Sequence, residues 1–419
     1  MRGCIQPDYI FYMKKKIIKN LLLLLLWIIT IIFTSVWIFE NPEAVRIVKN
    51  YLKKNNIVKA NSFNIKIDKI IPLSEKTAFI LYEENFSKFD PSLMKIYTHN
   101  GYLIENLESK KLNLPNSFTM EKNGGLKTVF FNEGKSYGLI ASQKNDCFYG
   151  SIVSLENNAE VIYDFKCLPD KKIDFGGLGS SSIHINGKIL LSVGTVDKGM
   201  TKNSELAMNK NSYYGKIVEI DKNKLSNSTK EKLNLNIFSL GHRNPQGITK
   251  INKKIFSVEH GPKGGDELNK IEKGKNYGWP KVSFGPRYLH DNKGKSILIS
   301  HENNGFEAPL VALVPSVALS SVNHCPSILK KYYKKNCLMA LSLHGNKLRP
   351  GKSIIIFLLN ENMDKVQSVE KIYFGNLDNF KFRHFITNSK NELFEDDKGS
   401  IYISADNKGI YKITFEDFR

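Results

Sequence analysis

From about residue 60 to the C-terminus the hydrophobic positions come in short runs. FNIKIDKI, KTAFILYEE, LKTVFFNE, CFYGSIVSL, GKILLSVGT, YYGKIVEI, KSIIIFLL and GIYKITF are rich in β-branched and aromatic residues and are closed off by Gly, Asn, Asp and Lys. That is the pattern of strands bounded by turns. No long amphipathic helices alternate with them, which argues against a parallel α/β sheet. Many short, evenly spaced strands predict an all-β sandwich, barrel or propeller, and radial repetition suits a chain of 419 residues because it leaves only short, protected edges. Residues 60–419 leave room for about six four-stranded blades.

The N-terminus follows another pattern. Leu21 to Phe39 is free of charge, with Thr30, Thr34 and Ser35 as its polar residues. As a helix rising ~1.5 Å per residue it would span close to ~30 Å of hydrocarbon. Lys14, Lys15, Lys16 and Lys19 precede it. This predicts a single-pass, uncleaved signal anchor over residues 21–39, with residues 1–20 cytoplasmic and the rest exported. Trp37-Ile38-Phe39-Glu40 offers no small-residue cleavage site. Met13 would make a more natural start than Met1. Ala44, Val45, Ile47, Val48, Tyr51 and Leu52 then fall at helical spacing, predicting a linker helix within residues 40–60 ahead of a domain over 61–419.

Charge changes this picture little. The formal net charge is +20, but only 7 of the 61 basic residues are arginine and the lysines are scattered. They read as solvated faces, and no nucleic-acid motif accompanies them. Cys147, Cys167, Cys325 and Cys337 lie beyond the apolar span and Cys4 before it. An even number on the exported side fits an oxidising compartment, placing the domain in the periplasm on the outer side of the inner membrane. Four cysteines allow three pairings; neighbours, Cys147 with Cys167 and Cys325 with Cys337, are the expected ones, against the bland alternative of four buried thiols. No C-x-x-C spacing suggests zinc.

One stretch concentrates polar, turn-forming and charged residues: LGHRNPQGITKINKKIFSVEHGPKGGDELNKIEKGKNYGWP, Leu240 to Pro280. Ile248 to Val258 reads as a partly buried hairpin. Ahead of it, Arg243-Asn244-Pro245-Gln246-Gly247 sets a fixed-φ proline between two amides. After it, Gly261-Pro262-Lys263-Gly264-Gly265 lets backbone approach a ligand where a Cβ would block it.

The ordered set GHRNPQG, EHGPKGGDELN and NYGWP resembles the soluble PQQ-dependent sugar dehydrogenases, the glucose/sorbosone dehydrogenase family. The resemblance implies a six-bladed β-propeller with PQQ over its central channel, a calcium ion, and oxidation of a small aldose sugar with electrons passed to a further, unidentified acceptor. Carried onto this sequence, it makes Arg243, Asn244 and Gln246 donors to PQQ and turns the carbonyls around Gly261 and Pro262 toward calcium. His344 stands where the family has a lysine or arginine after a strand ending in S-L. Lys381-Phe382-Arg383 is the nearest match to a basic R-x-R pair, although the register also allows Ser389 and Asn391 there.

The catalytic strand departs from the family. Where the family has a histidine opening H-x-G-G, this chain has Asp174-Phe175-Gly176-Gly177, and the closing aspartate is Thr195. A carboxylate suits proton abstraction near neutral pH less well than an imidazole. Asp174 is therefore a candidate base of weak activity, and His184 a candidate displaced base. Two functions follow as expectations: a membrane-anchored quinoprotein that oxidises aldoses slowly, and a propeller that keeps the fold as a non-catalytic binding module, as in the animal hedgehog-interacting proteins. A calcium-dependent lactonase would need a ring of acidic ligands that the sequence does not place.

Overall fold

The computed structural model describes residues 20, 23–31, 57–59, 63–83, 89–156, 160–197, 201–226, 233–285, 300–344, 352–374 and 380–418. Contacts divide the chain into one unit over Met1–Asn55 and a second over Asn56–Arg419. In the first, residues 23–31 are helical and exposed. Among the described residues no helix is long and apolar enough to cross a membrane. The rest of the 21–39 span lies outside the described residues, as does most of the expected linker helix. Its last residues differ from expectation: Ile57–Lys59 are a strand, paired antiparallel with Asn64–Ile71.

The second unit is an all-β propeller of six blades, each an antiparallel sheet. Blade I runs from Thr77–Leu81 to Glu108–Lys111, blade II from Leu126–Asn132 to Val161–Asp164, and blade III from Ser182–Ile185 to Leu235–Leu240. Blade IV runs from Pro245–Ile251 to Val311–Leu313 and blade V from Leu319–His324 to Val366–Tyr373. Blade VI takes Phe382–Phe385, Ile401–Ala405 and Gly409–Glu416 from the C-terminus and completes itself with Asn64–Ile71 and Ile57–Lys59 from the start of the domain. The first-named strand of each blade is innermost. These six strands pack on one another in sequence, with blade VI returning to blade I, so the ring is closed.

The continuous apolar runs follow from burial on both faces. In Cys337–Ser342, Met339 and Leu341 face the core shared with blade VI, while Leu338 and Ala340 face the core shared with blade IV. Alternate side chains of a strand point to opposite faces, so a strand packed between two blades needs apolar residues at every position. Each of the six apolar clusters fills one blade-to-blade interface. Both neighbouring cysteine pairs are disulfides: Cys147–Cys167 ties two segments of blade II, and Cys325–Cys337 joins the two inner strands of blade V.

The predicted hairpin is present as Pro245–Ile251 paired with Lys254–Glu259, with Asn252 in the left-handed region at φ 56°. Below the mouth the channel is filled. The turn around Asn388–Glu392 crosses it, with Ser389 N on Glu83, Asn391 Nδ2 on the carbonyls of Ser182 and Ile248, and Lys250 paired with Glu392.

Candidate active site

The loops that precede the inner strands form the mouth of the channel, and the 240–280 stretch supplies one side of it. Gly241 makes the approach possible: at φ 80° a Cβ there would lie 2.1 Å from Asn276 Oδ1, so the GHR and NYGWP motifs close on each other only through glycine. Behind it, His242 is fully buried and stacked on Tyr277 at 4.6 Å. Its Nε2 meets Ser239 Oγ at 2.9 Å and its Nδ1 meets Glu259 Oε1 at 3.2 Å. Glu259 Oε2 accepts from Arg243 N at 2.7 Å. Burial would raise the Glu259 carboxyl, but the hydrogen bonds from His242 and the backbone of residues 243 and 244 bring it below its ordinary range. Asn269 Nδ2 bridges Glu259 and Glu267. Burial and the neighbouring Glu259 push Glu267 well up.

Arg243 projects from this base with its side chain 12% exposed. Its Nη1 donates to the carbonyls of His260 at 3.1 Å and Gly261 at 3.0 Å. Its Nη2 lies 3.7 Å from Asp197, and its guanidinium stands 5.2 Å from the centre of the Trp279 ring. The acid paired with Arg243 is thus Asp197. Asp266 is engaged elsewhere. It accepts from Gly261 N, Ser316 Oγ, Val317 N and Ala318 N, pinning the glycine-rich loop to the start of blade V.

Asn244 is a cross-link. Its Oδ1 accepts from Gly179 N and Gln246 Nε2, and its Nδ2 donates to the Gly176 carbonyl and His260 Nδ1. Because an amide nitrogen only donates, His260 Nδ1 is the acceptor and a neutral ring carries its proton on Nε2. That Nε2 is buried with no hydrogen-bond partner among the described residues, as is Arg243 Nε. Burial, with Arg243 and Arg383 adding to it against Asp266, lowers the His260 pKa.

The other side of the mouth comes from blades VI, I and II, and of its residues only Arg383, in Lys381-Phe382-Arg383, belongs to a sequence match. Arg383 is held to Asp406 by two bonds of 2.5 Å. Lys127 Nζ donates to the carbonyls of Asn123 and Gly124 and lies 3.5 Å from His99 Nε2. Burial, then Arg383, bring the Lys127 ammonium down to about 7, with Asp174 opposing and Lys76 adding. Burial, then Lys127, Arg383, Lys76 and His384, hold His99 at about 3. Burial and Arg383 bring His384 to about 3 as well. These residues are hundreds of positions apart in places, and only the closed ring collects them.

Asp174 links the two sides. It caps a short turn over Phe175–Gly177 by accepting from Gly176 N, and it accepts from Asn123 Nδ2 at 2.9 Å. His344 sits on the rim, exposed, with its backbone N–H on the Val317 carbonyl. Lys381 is exposed, and its carbonyl receives Asp406 N.

Two expectations need correction. His184 does not approach Asp174: it is the third residue of a four-residue inner strand, which carries it to the far end of the channel. Gly261, expected to turn its carbonyl to calcium, turns it to Arg243 Nη1. No group of three or more His, Cys, Asp or Glu suited to a metal is found among the described residues.

A six-bladed propeller whose channel mouth gathers two arginines, a lysine and buried imidazoles defines a class of ligand-binding scaffold. Residues 132–378 match the family model for glucose / sorbosone dehydrogenase, more than half of the chain, and the chain belongs to that family. It is 32% identical over 127 residues to aldose sugar dehydrogenase YliI of Escherichia coli, 27% of this chain and 33% of that protein. It is 54% identical over 48 residues to quinoprotein glucose dehydrogenase B of Acinetobacter calcoaceticus, 11% of this chain and 10% of that protein. The matched stretches thus span a third or less of these relatives' own length. The fold is similar to the crystal structure of the soluble aldose sugar dehydrogenase of Escherichia coli in its apo form, with TM-score 0.62 and 19% identity over 84% of this chain and 99% of that one.

Proposed function

We propose that this chain binds PQQ at the mouth and oxidises aldose sugars slowly, as a dehydrogenase of its family with a weakened base. The observation that carries this reading is Arg243, fixed by Asp197 and the carbonyls of His260 and Gly261, and Arg383, fixed by Asp406, both close enough to depress the His260 imidazole. A cofactor bearing three carboxylates meets there the cationic donors it requires. The buried, unpartnered Arg243 Nε and His260 Nε2 offer further donors. PQQ, when bound, supplies the acceptor for a hydride.

The chain's own residues then orient and deprotonate. Arg243 and Arg383 are held by Asp197 and Asp406, so neither has to be ordered when the ligand arrives. The sugar hydroxyl proton is the weak point. His99 and His384 both titrate near 3 and are poor bases at neutral pH. Asp174 already accepts two hydrogen bonds on Oδ1, leaving Oδ2 to take the proton. Calcium at the Gly261 and Pro262 carbonyls would share the first of them with Arg243 Nη1, since a carbonyl oxygen carries two lone pairs. No step here depends on it.

The same internal bonding favours a second reading, a binding propeller without turnover, since Asn244 has committed both ends of its amide to the protein. Thermal melting separates the two. PQQ at ~100 times Kd should stabilise the fold by ~2.7 kcal/mol, and the shift should fall in Arg383→Leu. Absence of any shift, with or without calcium, removes the dehydrogenase reading.

The 21–39 span is proposed to anchor the protein in the inner membrane with the propeller in the periplasm, delivering electrons to a separate acceptor. Two disulfides in the domain support an oxidising surrounding. Protease added to spheroplasts should digest the propeller, whereas full protection would exclude this topology.

A further inference from the structure

A second cavity lies away from the mouth. It is a half-open cleft of about 890 Å³ at the far end of blades I to III, where the inner strands end and the turns at Asn132–Gly134 and Gly187 begin. The channel-crossing turn contributes Ser389 and Lys390 to its wall. Its floor is apolar, made in part by Leu81, Phe131 and Leu155. A volume of this size is that of an organic ligand site rather than a seat for a bare ion.

The charge around it is unbalanced. Lys222, Lys390, Lys110 and Lys111 line the cleft, and none of them forms an ion pair among the described residues. Three glutamates also line it, fewer than the unpaired lysines: Glu83 accepts from Ser389 N, and Glu156 from Ser136 N and Oγ. The third, Glu133, stands in a turn at φ 50°. His184 lines the same wall, and its Nε2 is buried without a hydrogen-bond partner among the described residues. Burial, then Lys222, Lys250 and Lys390, bring that imidazole down to about 4. Lys222 is lowered by burial and then by Lys390 and Lys250. Lys222 and Lys390 thus line the cleft with His184, while Lys250 donates to the His184 carbonyl at 3.1 Å and is paired with Glu392.

We propose that this cleft is a second ligand site, for a small organic anion that sets a carboxylate or phosphate between Lys222, Lys390 and His184 and lays its body on the Phe131 floor. An anion there relieves the repulsion among the lysines and gives His184 Nε2 a partner, while a neutral sugar gains neither. The site owes nothing to the PQQ reading and stands if that reading fails.

Melting of the purified protein tests it, using gluconate as the carboxylate, glucose 6-phosphate as the phosphate, and glucose and inorganic phosphate as controls. At least one of the two organic anions should raise the melting temperature at millimolar concentration, and which one does so identifies the head group. Lys222→Gln with Lys390→Gln should weaken that response at least ~tenfold, about 1.4 kcal/mol, without lowering the melting temperature of the ligand-free protein. His184→Gln, which restores one donor, should keep more of the response than His184→Ala. The site is refuted by no response to either organic anion, by an equal response to inorganic phosphate alone, or by a response that the lysine substitutions leave unchanged.

Discussion

The two sides of the mouth are built on opposite terms. On the side of blades III and IV the motif residues are bonded chiefly to the protein itself, Arg243 to two carbonyls and Asp197, Asn244 to two loops and Asp266 to four donors, with Arg243 Nε, His260 Nε2 and Trp279 Nε1 left over. On the side of blades VI, I and II, cations and imidazoles face one another, and Lys127, His99 and His384 all titrate well below their ordinary values. The residues that make the strongest motif therefore work first as framework, whereas Lys127, His99 and His384, the groups left in electrostatic tension, carry no motif. A perturbed, partly buried cationic cluster is where an anionic ligand gains most. A saturated hydrogen-bond network fixes shape.

The largest expected effect comes from giving the tense side a working base. Asp174→His places an imidazole at the half-buried cap between the two sides, and turnover of an aldose with PQQ and a dye acceptor should rise by ~10²–10⁴. Wild-type turnover equal to that of the variant would show that proton abstraction does not limit this protein. Next in size is Asp266→Ala on the saturated side. Removing one acceptor strands four donors around the glycine-rich loop and should cost about 3–5 kcal/mol in denaturant unfolding. A loss below about 1 kcal/mol would mean that the loop is not held as described.

Acid should act on the tense side selectively. His99 and His384 are held near 3 in the folded protein against an ordinary 6.5, so between these values the unfolded chain binds more protons. Their contribution is complete above about pH 6.5 and is lost as the pH falls toward 3. Lys127 adds a slope of its own: lowered from 10.5 to about 7, it makes stability rise between those values. The unfolding midpoint measured against pH should show both limbs. His99→Asn with His384→Asn should flatten the acid limb alone, and an unchanged limb would place the acid response elsewhere.

Much of this was legible in the sequence, and the parts that were not share a cause. While the count of six blades rested on the family resemblance, short runs of β-branched and aromatic residues bounded by turn residues marked the strands, because each strand is decided locally. The same holds for the 248–258 hairpin and for the neighbouring disulfides, whose closures are short. Which end of a strand a residue occupies was not legible: His184 sits near Asp174 in sequence, yet a four-residue strand separates the mouth from the far cleft. Nor were His99 and Lys127, which join Arg383 there, since no local pattern marks residues that meet only when the ring closes; Arg383 itself was marked by the Lys381-Phe382-Arg383 match. Asp174 shows the converse. Its carboxylate caps the short turn over Phe175–Gly177, a local role that the family resemblance does not mark.

The smallest expected effect separates framework from function within the saturated side itself. Trp279 stacks near Arg243, but its indole Nε1 is buried without a hydrogen-bond partner among the described residues. Trp279→Phe removes that unsatisfied donor, which in the folded state costs about 1–3 kcal/mol. It also keeps an aromatic face, though a poorer one for a cation, and forfeits about 0.5–1 kcal/mol of that attraction together with some packing. The two changes oppose each other, so stability should move by less than about 1 kcal/mol in either direction. Arg243 should nonetheless lose part of its lateral support, and PQQ affinity should fall a few-fold with the unfolding midpoint nearly unchanged. If both fall together, Trp279 is a core residue that happens to lie beside the arginine; if affinity alone falls, the stacking positions Arg243 for the ligand.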